Sequence, residues 1–318
     1  MSNSNLRTAK KSKNDEFYTQ YTDIEKEMRY YKDFFKGKVV YCNCDDARES
    51  NFFKYFSLNF EFLGLKKLIT TGYKADGKGV VLVYEGDKNG NRRVDNEEII
   101  VNELNGDGDF RSEECIEYLK QADVVVTNPP FSLFRQYVKQ LMDYNKKFII
   151  IGNNNAITYK DIFQLIKDNK IWLGINSNKT MEFSMPMSYE KWDRIEGNRK
   201  YGKVPAISWF TNIENKKRTQ PIDLYKRYSF EDYPKYDNFD AINVDKTCDI
   251  PMDYDGVMGV PITFLDKYCP TQFEIIDINP HFFSMVEQGL PKPKQLTLHN
   301  VGKKDPYARI LIKKIQQR

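Results

Sequence analysis

Histidine is nearly absent from this chain: His281 and His299 are its only imidazoles. Cysteines occur at 42, 44, 115, 248 and 269, an odd number with no framework spacing, and Cys42-x-Cys44 has no second pair. A zinc site and a disulfide scaffold are therefore not expected, and the thiols suit a reducing compartment. No apolar run approaches the length of a membrane span, no repeat or low-complexity tract occurs, and the opening Met-Ser-Asn-Ser-Asn is polar. A soluble cytoplasmic protein without membrane contact is the expectation. One apparent cation loop is incomplete. Asp87, Asn89, Asn91, Asp95 and Glu98 have the spacing of calcium ligands, but Arg92 stands where that loop needs glycine and no helices flank it, so no metal is expected.

Formal charge is only +4, but it is unevenly spread. Arg7, Lys10, Lys11 and Lys13 make a flexible basic tail over residues 1–13. Positive charge gathers again at Lys191, Arg194, Arg199, Lys200 and Lys203, at Lys216, Lys217 and Arg218, and at Lys226 and Arg227. From Gly289 onward, Lys292, Lys294, Lys303, Lys304, Arg309, Lys313, Lys314 and Arg318 face Asp305 as the sole acid. Such clustering suits phosphate contacts, although a solvated face can also be rich in lysine.

Chemistry is most legible at Asn128-Pro129-Pro130-Phe131, which follows the apolar run Val124-Val125-Val126. Each proline fixes φ and removes an N–H donor, and the residue before a proline is kept out of the helical region. The turn is thus preset to accept hydrogen bonds. A planar amine such as the N6 group of adenine is a weak nucleophile, because its lone pair is delocalised into the ring. The Asn128 side-chain oxygen and a backbone carbonyl would return electron density to that nitrogen as it becomes tetrahedral. Phe131 offers a ring for base stacking, worth roughly 1–3 kcal/mol per base. Alone, Asn-Pro-Pro could simply end a strand. The buried valine run before it, and Phe134, Tyr137, Val138 and Leu141 at helical spacing after it, place it where open α/β sheets bind ligands.

The rest of the first half alternates strands and amphipathic helices. Helices are expected over 23–35, 49–60 (with Phe52, Phe53, Phe56 and Phe60 as its stripe), 113–120 and 133–144. Strands are expected over 38–44, 67–71 and 147–152, with a hairpin formed by 80–84 and 98–104 around Asn89-Gly90. The pattern predicts an α/β, doubly wound, mostly parallel Rossmann-like sheet. Beyond residue 160 the alternation weakens, with strands at 204–212 and 256–264 and a last apolar-basic element at 308–315. The expected organisation is a first domain over 14–215 and a second region over 216–318.

Read together, Asn14-Asp-Glu-Phe17-Tyr18-Thr19-Gln20, Val39-Val-Tyr-Cys-Asn43-Cys-Asp45-Asp46, Glu49-Ser-Asn-Phe-Phe-Lys-Tyr-Phe56, the Asn128 turn and Gly256-Val-Met-Gly-Val-Pro-Ile-Thr-Phe-Leu265 resemble adenine-specific DNA methyltransferases of the EcoRI modification type. The order of the motifs resembles the gamma group of these enzymes. The resemblance implies S-adenosylmethionine as cofactor and double-stranded DNA as substrate, with 14–215 as the catalytic domain, 216–318 as the target-recognition, DNA-binding region, and Asn128, Pro129, Pro130 and Phe131 as the catalytic turn. It implies Phe17, Tyr18 and Thr19 around the methionine end of the cofactor, Asn43, Asp45 and Asp46 at its amino group, and Asp109 and Phe110 beside its adenine. Phe210 is a candidate second face for an extruded base, with burial in the core the preferred reading. GAATTC is the target sequence the resemblance suggests, a cognate restriction endonuclease acting on the same site is a possible partner, and a monomer is expected.

Two departures stand out. Cys42-Asn43-Cys44-Asp45 replaces the glycine-rich fingerprint common in this superfamily, and the second strand ends Thr70-Thr71-Gly72-Tyr73 without an acid for the ribose. Two other readings stay open at this level: a methyltransferase for RNA or a protein amide, and a DNA-binding homologue that has lost catalysis.

Overall fold

Val39–Cys42 and Val124–Thr127 are buried at every residue, as strands covered on both faces must be. They are neighbours at the centre of a sheet in the computed structural model, which describes residues 17–74, 77–185, 187, 189–190, 192–291, 296–298 and 307–316. The basic tail 1–13 and Lys191, Lys292, Lys294, Lys303, Lys304 and Arg318 lie outside the described residues. The chain divides into two compact units, residues 1–154 with 174–213, and residues 155–173 with 214–318. The third crossing, between 213 and 214, lies beside the expected boundary at 215/216, whereas 155–173 groups with the second unit and not with the segment expected to hold it.

In chain order the strands are β1 (Tyr18–Thr19), β2 (Val39–Cys42), β3 (Lys67–Gly72), β4 (Val80–Tyr84), β5 (Ile99–Glu103), β6 (Val124–Thr127), β7 (Lys147–Asn153), β8 (Trp172–Leu173, in the second unit), β9 (Lys179–Met185), β10 (Arg194–Glu196) and β11 (Arg199–Thr211). The first unit's sheet runs β1-β9-β11-β7-β6-β2-β3-β4-β5. Its parallel part is the centre, β7-β6-β2-β3, and every pair outward from β3 and β7 is antiparallel. From β2 the chain moves outward to β3, then returns to the other side of β2 for β6. That reversal opens a crevice at the carboxyl ends of β2 and β6, where doubly wound sheets place ligands.

Helices pack their apolar faces into this sheet. Asn51–Leu58 is capped by Ser50, whose hydroxyl accepts the Phe52 N–H, and it buries Phe52 and Phe56. Phe134–Asp143 buries Phe134, Tyr137, Val138 and Leu141, the stripe anticipated from spacing. The first helix is shorter than its periodicity suggests. It spans Tyr21–Met28 from an N-cap at Gln20, and Lys32–Phe34 is a separate 3₁₀ turn. The Tyr30 and Tyr31 N–H groups bond three residues back, to Glu27 and Met28, so the turn tightens there. Ile24, Met28, Tyr31 and Phe35 are nevertheless all buried: the stripe is preserved although the helix is not.

The Asn89-Gly90 segment is a hairpin loop between antiparallel β4 and β5. Arg92 does adopt the left-handed conformation, at φ 62°. Asp87 accepts the Gly90 and Arg92 N–H groups, and Glu98 accepts those of Lys88 and Asn89. The loop's acids thus serve its own backbone. Among the described residues no group of three or more His, Cys, Asp or Glu is placed to hold a metal ion, and no helix is long and apolar enough to cross a membrane.

The second unit contains a four-stranded sheet in the order β12 (Ile242–Asn243), β13 (Met258–Pro261), β15 (Arg309–Lys314), β14 (Phe273–Asn279), antiparallel except for β12 with β13. Its interior holds Met258, Val260, Ile275, Ile278 and Ile310–Ile312, all nearly inaccessible. The strand expected over 256–264 is shorter than its apolar run, because a 3₁₀ segment begins at Ile262.

Candidate active site

The loop after β2 and the loop after β6 are tied together by hydrogen bonds. The Thr127 hydroxyl donates to the Asn43 carbonyl, and the buried Tyr137 hydroxyl donates to the Asn43 side-chain oxygen. Asn43 is thereby fixed from strand and helix at once. Sequence reading took Tyr137 only as part of an apolar stripe, yet a buried tyrosine brings a hydroxyl that needs a partner. That requirement is the signal that could have found it.

Cys44 takes φ 73°, the conformation that glycine would adopt most cheaply. Cys44→Gly should therefore be about 1 kcal/mol more stable than Cys44→Ala, since both lose the thiol and only alanine retains the left-handed penalty. Urea denaturation of the two variants measures this; equal midpoints would refute it. Burial pushes the Cys42, Cys44 and Cys115 thiols above their ordinary range, and the Asp45 carboxylate adds to this for the first two. No thiolate nucleophile is available here at neutral pH.

Asp45 is buried, and its carboxylate accepts the Ser50 hydroxyl at 3.1 Å. Asp46 is exposed and bonds the Arg48 N–H, holding the turn into the next helix. At the end of β3, a Cβ on Gly72 would lie 2.6 Å from the Ala47 nitrogen, and one on Gly108 would lie 2.3 Å from the Gly72 carbonyl oxygen. The loops at 45–47 and 107–108 therefore both press on Gly72. Next to them, Asp109 forms a two-pronged pair with Arg111, at 2.8 and 2.5 Å, and that guanidinium holds its carboxyl below the ordinary range. Phe110 is mostly buried, near-perpendicular to Tyr137 at 5.0 Å, with Arg111 over its ring and Gln140 donating to its carbonyl.

The N-terminal motif reaches the same place. Tyr18 and Thr19 pair with Ser184 and Phe183 of β9, and the Asn51 amide holds the Thr19 carbonyl at 2.8 Å. The Arg199 guanidinium lies over the Tyr18 ring, 4.9 Å from its centroid. Asn128, 6 % exposed, donates from Nδ2 to the Phe17 carbonyl at 2.7 Å. Its Oδ1 is buried and has no hydrogen-bond partner, and the same holds for the Thr19 hydroxyl. The turn closes when the Leu133 N–H bonds the Pro130 carbonyl, which leaves the Pro129 carbonyl outside that closure.

Half-buried Phe17, Phe131 and Tyr189 surround the turn, with the fully buried Phe183 behind them. Phe131 lies 6.4 Å from Phe183, and Phe17 lies 6.0 Å from Phe183 and 5.3 Å from Tyr189, all near-perpendicular. Phe210, the candidate for a second base-facing ring, is not among them. It is fully buried in β11, paired with Ile150 and packed 5.1 Å from Phe134, so it belongs to the core.

Residues 5–315 match the family described as adenine-specific methyltransferase EcoRI. The chain belongs to that family. It is 50% identical over 324 residues to the type II methyltransferase M.EcoRI of Escherichia coli, covering 97% of this chain and 95% of that protein. It is 40% identical over 321 residues to the type II methyltransferase M.MgeORF184P of Mycoplasma genitalium, covering 97% and 98%. Against the type II methyltransferase M.MpnI of Mycoplasma pneumoniae the identity is 39% over 320 residues, with 97% of each covered. This methyltransferase is an adenine-specific DNA enzyme with S-adenosylmethionine as its methyl donor. The residues present suit that donor: the buried Thr19 hydroxyl has no hydrogen-bond partner, and the loop after β2 carries a buried carboxylate, Asp45.

Proposed function

We propose that Asn128 and Pro129 of the methyltransferase accept the two N6 hydrogens of an adenine extruded from duplex DNA. The observation that carries this is the Asn128 Oδ1, a buried acceptor with no partner whose amide is fixed by the Phe17 carbonyl. Chemistry on a paired base requires its extrusion, at a cost of a few kcal/mol. Phe131 stacks on the extruded base and recovers part of that cost. The two acceptors draw density back onto N6 as it becomes tetrahedral, without reorganising, because the prolines hold the turn. The proton leaves N6 after the new carbon–nitrogen bond forms, so no strong base is needed. S-adenosylmethionine supplies the methyl on a sulfonium that is already electrophilic.

Phe17, Tyr18 and Thr19, the Asn43–Asp46 loop, and Asp109 with Phe110 hold that donor in this reading. Within it, Asp45 takes the amino group and Asp46 contributes mainly through the turn it stabilises. The second unit, with Lys216, Arg227 and Lys313 among its basic residues, is the target-recognition region and contacts phosphates. The protein acts as a monomer in the cytoplasm, with a restriction endonuclease of the same target as its partner.

Duplex DNA containing GAATTC, incubated with the enzyme and S-adenosylmethionine and then digested to nucleosides, should yield N6-methyladenine. An RNA or a glutamine-bearing peptide should remain unmodified. Methylation of either in preference to DNA would overturn the reading.

A further inference from the structure

The N-terminal motif contains a group whose work concerns the base and not the donor. We infer that the backbone carbonyl of Phe17 is the positioning group of the catalytic amide: it selects which end of the Asn128 side chain meets the adenine. This rests on Asn128 being the N6 acceptor, as proposed above.

A carboxamide is nearly symmetric in shape, and a rotation of its terminal torsion exchanges an acceptor for a donor. Only one of the two orientations can receive an N6 hydrogen; the other would set two donors against each other. Pro129 and Pro130 fix the backbone of the turn but have no hold on that torsion. The hydrogen bond from Nδ2 to the Phe17 carbonyl supplies it, at 2.7 Å and across 111 residues of sequence. A reversed amide would put its oxygen against the Phe17 carbonyl oxygen, an unfavourable pairing in a nearly dry site. The orphaned Oδ1 is the complement of that selection.

The carbonyl is itself well held. One residue on, Tyr18 pairs with Ser184, and Thr19 is fixed by Phe183 and by the Asn51 amide. The Phe17 ring packs near-perpendicular against Phe183 and Tyr189. Phe17 therefore presents its carbonyl from a segment tied at several points, as a group that fixes a reacting atom must.

The assignment separates two roles that an asparagine and an aspartate would otherwise share. Asn128→Asp keeps an acceptor oxygen but, when ionised, has no hydrogen for Phe17 and presents a negative charge to its carbonyl. When protonated it regains both functions, with the O–H donating to Phe17 and the carbonyl oxygen left for N6. Its activity relative to the native enzyme should therefore be low at pH 8 and rise on acidification, by about tenfold per pH unit while the carboxylate predominates. The rise should be in kcat. Binding of S-adenosylmethionine by calorimetry should match that of the native protein across the same range.

An Asn128→Asp enzyme with a constant fraction of native activity between pH 8 and pH 6 would overturn the inference, because an acceptor alone would then suffice. The parallel variant Asn128→Ala keeps the two ideas distinguishable. If Asn128→Ala is inactive and Asn128→Asp is insensitive to pH, the acceptor role stands and the Phe17 role fails. If Asn128→Ala retains native turnover, the acceptor role itself fails.

Discussion

Replacement of Asn128 by alanine should reduce methyl transfer by at least about 10²–10³-fold, the range seen when one preorganised polar group is removed from a reacting centre. The loss should fall on kcat, because Asn128 acts on a nitrogen whose charge develops only as the reaction proceeds. Binding of S-adenosylmethionine should persist. Thr19 keeps its tie to Asn51 and its pairing with Phe183 when the Asn128 side chain is gone, so the N-terminal segment stays in place. Single-turnover methylation of a duplex, with calorimetric titration of the donor alongside, measures both. Native turnover in the variant would remove the Asn128 turn from the mechanism, whereas loss of donor binding together with activity would make its role structural.

The largest effect on stability should come from Glu27. Its carboxylate is fully buried and accepts the Ile175 N–H at 2.8 Å, the Asn176 N–H at 2.7 Å, the Asn176 amide at 3.0 Å and the Tyr31 hydroxyl at 3.0 Å. Burial pushes this carboxyl above its ordinary range, and those donors pull it back. The helix Tyr21–Met28 is thus pinned to the segment that leads into β9. Glu27→Ala would leave two backbone N–H groups and a hydroxyl without their acceptor, at roughly 1–3 kcal/mol each. Release of a desolvated carboxylate offsets part of this, so the net loss should be about 3 kcal/mol. Glu27→Gln keeps one acceptor oxygen and should lose less. Urea midpoints at constant slope measure the series, and a loss for Glu27→Ala below about 1 kcal/mol would show that water or a local shift replaces the carboxylate.

The centre of the sheet was legible because its signals are local. Val124-Val125-Val126 followed by two prolines and a 3.6-residue apolar stripe can hardly be anything but a buried strand, a turn and a helix. Phe52 and Phe56 announced their helix in the same way. The turn at Asn128 was legible for the same reason, since its strand, prolines and helix follow one another in sequence.

What escaped sequence reading is written in pairs far apart. A two-residue strand such as β1 has no periodicity, and its partner β9 is visible only once the fold exists. The left-handed Cys44 is hidden because the residue that normally announces that shape is missing. Tyr31 kept its place in the helical stripe, but the i→i−3 bonds that tighten the chain beside Glu27 cannot be read from apolar spacing. Phe210 was expected in the core more than at a ligand, yet its pairing with Ile150 is a property of the sheet that no local signal shows.

The pairing of Tyr18 with Ser184 also has a meaning in time. A ribosome delivers Phe17 early and β9 much later, and contacts so distant in sequence form late because a long loop must close first. The carbonyl that holds the Asn128 amide therefore gains its anchor only after β9 has been made, more than fifty residues beyond the turn it serves.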